Sequence, residues 1–137
     1  MKQLTTEIIA LCDYASVSKE GKLSINGVFD ELRVQKFPGG IARAFLVATV
    51  NGTPNTPYTL TLKVEGEGKS PLNDLNLNAV TSANGKNNLI VELINLGFQK
   101  EGDYSFKIYN GGQEVGSTLL KVFDADKQDK VGKKMPN

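Results

Sequence analysis

The residues Leu11 to Asp30, LCDYASVSKEGKLSINGVFD, decide how this chain is read. Two apolar segments flank a polar turn ending in Glu20-Gly21-Lys22. In the second segment Leu23, Ile25, Gly27 and Phe29 alternate with Ser24, Asn26, Val28 and Asp30. A period of two gives a strand with one dry and one wet face. The first segment, Ile8 to Ala15, is apolar at odd and even positions alike, so cover on both faces is expected. The pair predicts a β-hairpin that seeds an all-β sandwich.

Working outward, Leu4 to Ala15 is expected as the first strand, Ser16 to Gly21 as its turn and Lys22 to Leu32 as the second strand. Gly27 inside that strand signals a bulge or a close backbone crossing. Phe37-Pro38-Gly39-Gly40 breaks the pattern. The apolar run Ala42 to Val50 predicts a central strand. Tyr58, Leu60, Leu62 and Val64 alternate with polar residues, the cleanest amphipathic strand in the chain. Asp74 to Thr81 is a weaker strand. Leu89 to Leu96 is a strong one, with a short helix as its competitor. Tyr104, Phe106 and Ile108 alternate, Asn110-Gly111-Gly112 is a hairpin turn, and Gln113 to Phe123 returns. Short strands with turn signals roughly every 8–12 residues predict a sandwich or barrel.

The run Gly102-x-Tyr104-x-Phe106-x-Ile108, followed by a hairpin and an apolar strand, resembles the closing strands of immunoglobulin-like sandwiches. That resemblance implies a tyrosine corner at Tyr104. The expected fold is therefore an all-β, immunoglobulin-like antiparallel β-sandwich of about 7–9 strands. It is expected over residues 1–123, with 124–137 (DADKQDKVGKKMPN) as a flexible tail too polar to order itself.

Length and composition limit function. A chain of 137 residues, 39% apolar and 23% charged, suits one globular domain with a real core. Sixteen Lys+Arg against fifteen Asp+Glu leave a net charge of +1, so no general pull towards nucleic acid or anionic membrane is expected. One cysteine cannot form an intrachain disulfide, which fits the cytoplasm. No secretory signal is read. Ile9-Ala10-Leu11-Cys12 has the outline of a lipoprotein cleavage box, but Leu11 stands where a small residue is needed.

The N-terminal stretch resembles an uncharacterised family of small bacterial and phage-related proteins. Its hallmark is L-C-D-Y-A, a short turn, then G-K-L-x-I-x-G-V-F-D, here Leu11 to Ala15 and Gly21 to Asp30. The apolar strand before the first proline-rich loop and the Gly102-x-Tyr104 segment also fit. The resemblance implies a prokaryotic or phage origin and brings no activity with it.

Each candidate site has a plainer account beside it. Cys12 lacks a histidine to make its thiolate, since the chain has none, and reads as a small buried hydrophobe. Asp13, between apolar neighbours, needs partners if buried; backbone N–H groups, Arg33 or Arg43 are the expected ones. Gly66-Glu67-Gly68-Lys69-Ser70 ends like a phosphate loop, but Lys63 replaces the required glycine and Pro71 follows instead of a helix. Asp124, Asp126 and Asp129 have calcium-loop spacing, yet Asp129 stands where glycine is required and no closing glutamate follows. Loop acids such as Asp74 and Asp103 would bind calcium only by converging. Zinc is not expected without histidine. Asn51-Gly52-Thr53 reads as a chance glycosylation sequon. Tyr58 and Tyr109 are candidates for an aromatic recognition surface, and Asn73, Asn76 and Asn78 for a hydrogen-bonding face.

No catalytic, cofactor-binding or metal residue is assigned, and no cofactor is expected. The expected role is a non-enzymatic protein-interaction or structural module, with a protein partner or self-association and neither nucleic acid nor membrane. Edge pairing by Asp74 to Thr81, or tail docking, is the expected route. The alternative is a small-ligand or carbohydrate-binding sandwich, calcium-assisted or not. An enzyme would require several of Asp13, Asp30, Glu92 and Tyr104 to converge in a cleft.

Overall fold

The computed structural model describes residues 3–126 and contains nine strands among them. They are β1 (Thr5–Val17), β2 (Leu23–Phe29), β3 (Glu31–Val34), β4 (Gly39–Asn51), β5 (Pro57–Gly66), β6 (Leu75–Val80), β7 (Lys86–Phe98), β8 (Gly102–Asn110) and β9 (Gln113–Asp124). One sheet has the order β2-β1-β4-β7 and the other β3-β9-β8-β5-β6. All pairings are antiparallel except β3 with β9. In the immunoglobulin scheme β1, β4 and β7 stand where A, B and E stand, and β5, β8 and β9 where C, F and G stand. β6 takes the place of C′. The fold is an immunoglobulin-like β-sandwich.

The core lies between the sheets. Leu60, Leu62 and Val64 of β5 and Tyr104, Phe106 and Ile108 of β8 point inward by alternation. They meet Leu46, Ala48 and Val50 of β4 and Leu89 and Leu93 of β7. Burying each large aliphatic side chain contributes about 1.5–3 kcal/mol. Immunoglobulin domains usually centre on a tryptophan against a disulfide. Here Phe98 and Tyr104 pack edge to face, with ring centroids 4.8 Å apart. The Tyr104 hydroxyl donates to the Lys100 carbonyl at 2.7 Å, so Tyr104 is the tyrosine corner that the sequence implied.

Several expectations are corrected. Lys22 to Leu32 is not one strand. The chain leaves the first sheet after Phe29 and joins the second at Glu31, where β3 runs parallel to β9. Of Ile8 to Ala15, Leu11 and Cys12 are covered on both sides, but Ile8 is 43% exposed and Tyr14 52%. One expectation stands: the strand read over Leu89 to Leu96 lies within β7, in place of its helical competitor. β9 reaches Asp124 and Ala125 is buried, so the body extends past residue 123. The remainder of the expected tail, with Asp129, lies outside the described residues.

The hairpin read as the organising stretch does something its periodicity does not announce. Leu11 and Phe29, paired across it, belong to the main core. Ala15 and Ile25, paired four residues further on, belong to a second cluster with Cys12, Phe45, Val47, Leu23 and Ile90. That cluster draws only on the first sheet. Since Leu46 and Ala48 face the main core, Phe45 and Val47 occupy the sheet's outer face. β1 leaves β4 after the Cys12–Phe45 pair, and the hairpin tip at Val17, Glu20 and Gly21 lies beside Lys86, Asn87 and Asn88. Those three residues pair with Asn51, Val50 and Thr49 at the far end of β4. The distal hairpin therefore folds back over the outer face as an arm and shields it.

The crease is the Asp13–Gly27 position. Gly27 has φ +70°, and a Cβ there would strike the Asp13 carboxylate. The sequence signal of a close crossing at Gly27 is met here. Asp13 itself is exposed. Its expected partners Arg33 and Arg43 pair with Glu31 and Glu92 instead.

Candidate interaction surface

Three of the four sheet edges carry features that discourage pairing. β3 is four residues long and holds Glu31 and Arg33. β2 is bent at Gly27. β7 carries Lys86 and Glu92, and Asn95 at φ +56° interrupts its pleat. That interruption lets Leu93 and Leu96 both face the core and leaves Ile94 63% exposed. β6 differs from the others. Its sequence LNLNAV has no charge, no proline and no pairing irregularity against β5.

β6 and β7 face each other across the open side of the sandwich. At one end of that side lies an apolar groove of about 260 Å³, lined by Leu72, Leu75, Glu92, Leu93, Ile94 and Leu96. Glu92 is held by Arg43, whose guanidinium also lies over the Phe45 ring at 5.1 Å. At the other end lies a larger cleft of about 620 Å³ between the arm tip and the start of β7. The loops beside it are cross-braced. The Thr81 hydroxyl, buried, donates to the Thr53 carbonyl at 2.5 Å and accepts from the Thr56 amide at 2.9 Å. The Tyr58 hydroxyl accepts from the Thr53 amide at 2.9 Å, and the Gly52 amide donates to the Gly85 carbonyl at 2.8 Å. Tyr58 is thus a buried brace and not part of a recognition surface.

The outer face of the second sheet carries a charge network. Lys107 pairs with Glu65 at 3.0 Å and Glu114 at 3.4 Å, and the Tyr109 hydroxyl donates to Glu65 at 2.8 Å. The Lys107 ammonium and the Tyr109 hydroxyl hold the Glu65 carboxyl below its usual range, and Glu65 raises both of theirs. Lys63 lies over the Tyr109 ring and pairs with Asp74. Exposed pairs of this kind add little stability each.

The remaining sequence candidates do not gather. Cys12 is fully buried, and burial pushes its thiol pKa up, away from nucleophilic use. Asp74 is taken by Lys63 and Asp103 by Lys121. The Asp30 carbonyl accepts the Lys121 amide where the chain changes sheets. Asp124 accepts the Asp126 amide. After Gly66 the chain turns through Ser70, whose hydroxyl donates to the Leu72 carbonyl, and enters β6 without a helix. Among the described residues no three acids or thiols lie close enough to hold a metal ion. None of their helices is long and apolar enough to cross a membrane. The exposed Asn76 and Asn78 sit on β6, and Asn73, also exposed, precedes it. The sequence did not reveal the groove or the cleft, because each is made by edges far apart in the chain.

Comparison with known proteins adds a family. The model of a family of unknown function, DUF6941, matches residues 7–123, which include the hairpin and both sheets. No functionally curated protein matches. Among solved structures, an immunoglobulin-like protein from Pseudomonas aeruginosa aligns over 88% of this chain and 96% of its own, with 11% identity and a TM-score of 0.46.

Proposed function

The chain belongs to that family of unknown function, and from this premise we propose that it is a non-enzymatic protein-interaction module of the cytoplasm that binds by strand addition at β6. The observation that carries the reading is the unguarded β6 edge lying beside the Leu72–Leu75–Ile94 groove. An extended protein segment, from another protein or a second copy, pairs its main chain with β6 and places an apolar side chain in the groove. The absence of a gathered acid cluster among the described residues, and the buried high-pKa thiol of Cys12, favour binding over catalysis. A net charge of +1 supports a protein partner over nucleic acid or anionic membrane.

The test compares wild type with Asn76→Lys/Asn78→Lys and with Ile94→Asp. All three positions are exposed, so the fold is retained. Light scattering after size exclusion reports self-association, and affinity capture from host lysate reports other protein partners. The expected result is a dimer or a specific captured protein that both variants lose. A wild type that stays monomeric and captures nothing refutes the proposal, as does a partner that both variants keep.

A further inference from the structure

We infer that the 620 Å³ cleft under the arm tip is a binding site for a neutral polyhydroxylated ring, a sugar of one or two residues. Its volume lies within the roughly 300–1,000 Å³ of small-molecule sites. Three separate elements build it: the arm tip at Val17, Glu20 and Gly21, the end of β6 at Val80, and the 82–88 segment. The last is preorganised. The Asn84 carboxamide oxygen accepts from the Lys86 amide at 3.0 Å and also from the Ser82 hydroxyl. The Gly85 amide donates to the Ser82 carbonyl at 2.9 Å, and Thr81 ties the segment to the 53–56 loop. Ligand binding therefore orders little new structure.

The side chains left open define the ligand. Asn87 donates its NH2 to the Val80 carbonyl at 2.9 Å, which leaves its own oxygen as an acceptor. Asn88 accepts from the Thr49 hydroxyl at 2.7 Å through its oxygen, which leaves its NH2 as a donor. The Asn84 NH2 is a second donor, since the bonds above use its oxygen. Neighbouring amide donors and acceptors match adjacent hydroxyl groups, each of which donates and accepts. Val17 and Val80, 44% and 60% exposed, offer apolar walls for the C–H face of a ring. Charge selects against anions. Lys86 is matched by Glu7 at 3.0 Å, and Glu20 at the arm tip adds a carboxylate that accepts from ring hydroxyls and repels anions. A phosphate would meet that carboxylate with the nearby ammonium already paired.

This site is distinct from the β6 edge proposed above, and its test is separate. The ¹⁵N-labelled full chain is titrated with glucose, galactose and N-acetylglucosamine, and with inorganic phosphate as the anionic control. At least one sugar is expected to give saturable amide shifts at Gly21, Asn84, Asn87 and Asn88, with half-saturation below about 10 mM, a weak affinity on the scale of free energies. Val80→Arg, at an exposed position, fills the cleft and abolishes the shifts. Glu20→Ala, on the exposed turn, weakens them about threefold or more. Asn76→Lys/Asn78→Lys leaves them unchanged. The inference is overturned if no sugar saturates, if phosphate binds instead, or if Val80→Arg binds as wild type does. Should Val80→Arg fail to fold, the Glu20→Ala titration decides alone.

Discussion

Replacing Gly27 by alanine tests the crease that turns the hairpin into an arm. Gly27 sits at φ +70°, where an L-residue is held at a cost of about 1–2 kcal/mol. The new Cβ also meets the Asp13 carboxylate. That side chain is exposed and can swing away, so the clash adds no more than about 1 kcal/mol. The sum is about 1–3 kcal/mol. For a domain of this size each kcal/mol lowers Tm by about 4 °C, so calorimetry is expected to show a drop of about 4–12 °C. A local readout separates this from general weakening. Cys12 lies fully buried among Ala15, Leu23, Ile25, Phe45 and Val47. Loosening the arm exposes it, so its labelling by a thiol reagent accelerates well below Tm. Asp13→Ala alone changes stability by no more than about 0.5 kcal/mol. Asp13→Ala/Gly27→Ala recovers the clash, about 1 kcal/mol, and keeps the dihedral cost, so the two substitutions are not additive. A Gly27→Ala protein that melts within about 2 °C of wild type with Cys12 still shielded would show that Gly27 is not a crease.

Two further outcomes follow from side-chain geometry. Tyr104→Phe leaves the Phe98 packing in place but removes the donor to the Lys100 carbonyl; urea titration should show a loss of about 1–2 kcal/mol with an unchanged m-value. Glu65 has a folded-state pKa below its unfolded value of 4.5, so its contribution is present above pH 4.5 and is lost as pH falls through the folded value. Glu65→Gln should therefore flatten Tm against pH on the acid side, and a variant with the same acid slope as wild type would contradict the pairing.

Much of the sandwich was legible because a two-residue period is hard to disguise. β5 and β8 show it without interruption, and Leu120 and Val122 of β9 fall on the buried face as alternation required. Tyr104 was legible through its place before a hairpin and a closing strand. The change of sheet at Asp30 was not. Leu23, Ile25 and Phe29 share one phase and Leu32 falls on the other, but that one-residue shift does not say that the partner changes from β1 to β9, because rhythm reports burial, not partnership. Ile8 and Tyr14 misled for a related reason. Their apolar neighbours suggested two covered faces, but the arm covers the region around Cys12 and leaves those two outside it. Gly27 announced a close crossing without stating the direction of the bend. The surfaces for partners were least legible. The groove joins Leu72 to Ile94 and the cleft joins Val17 to Asn88, and sequence spacing carries no trace of either meeting.

A hairpin that roofs its own sheet behaves as a ruler. From Cys12 to Val17 the strand advances five residues, the same count that separates Phe45 from Val50 beneath it. Two residues deleted beyond the bend would bare Val47 and Ile90 and remove one wall of the 620 Å³ cleft together. Two inserted there would push the tip past the end of the sheet. Relatives that vary the length of this one turn would therefore change what their surface can hold while keeping every strand of the sandwich.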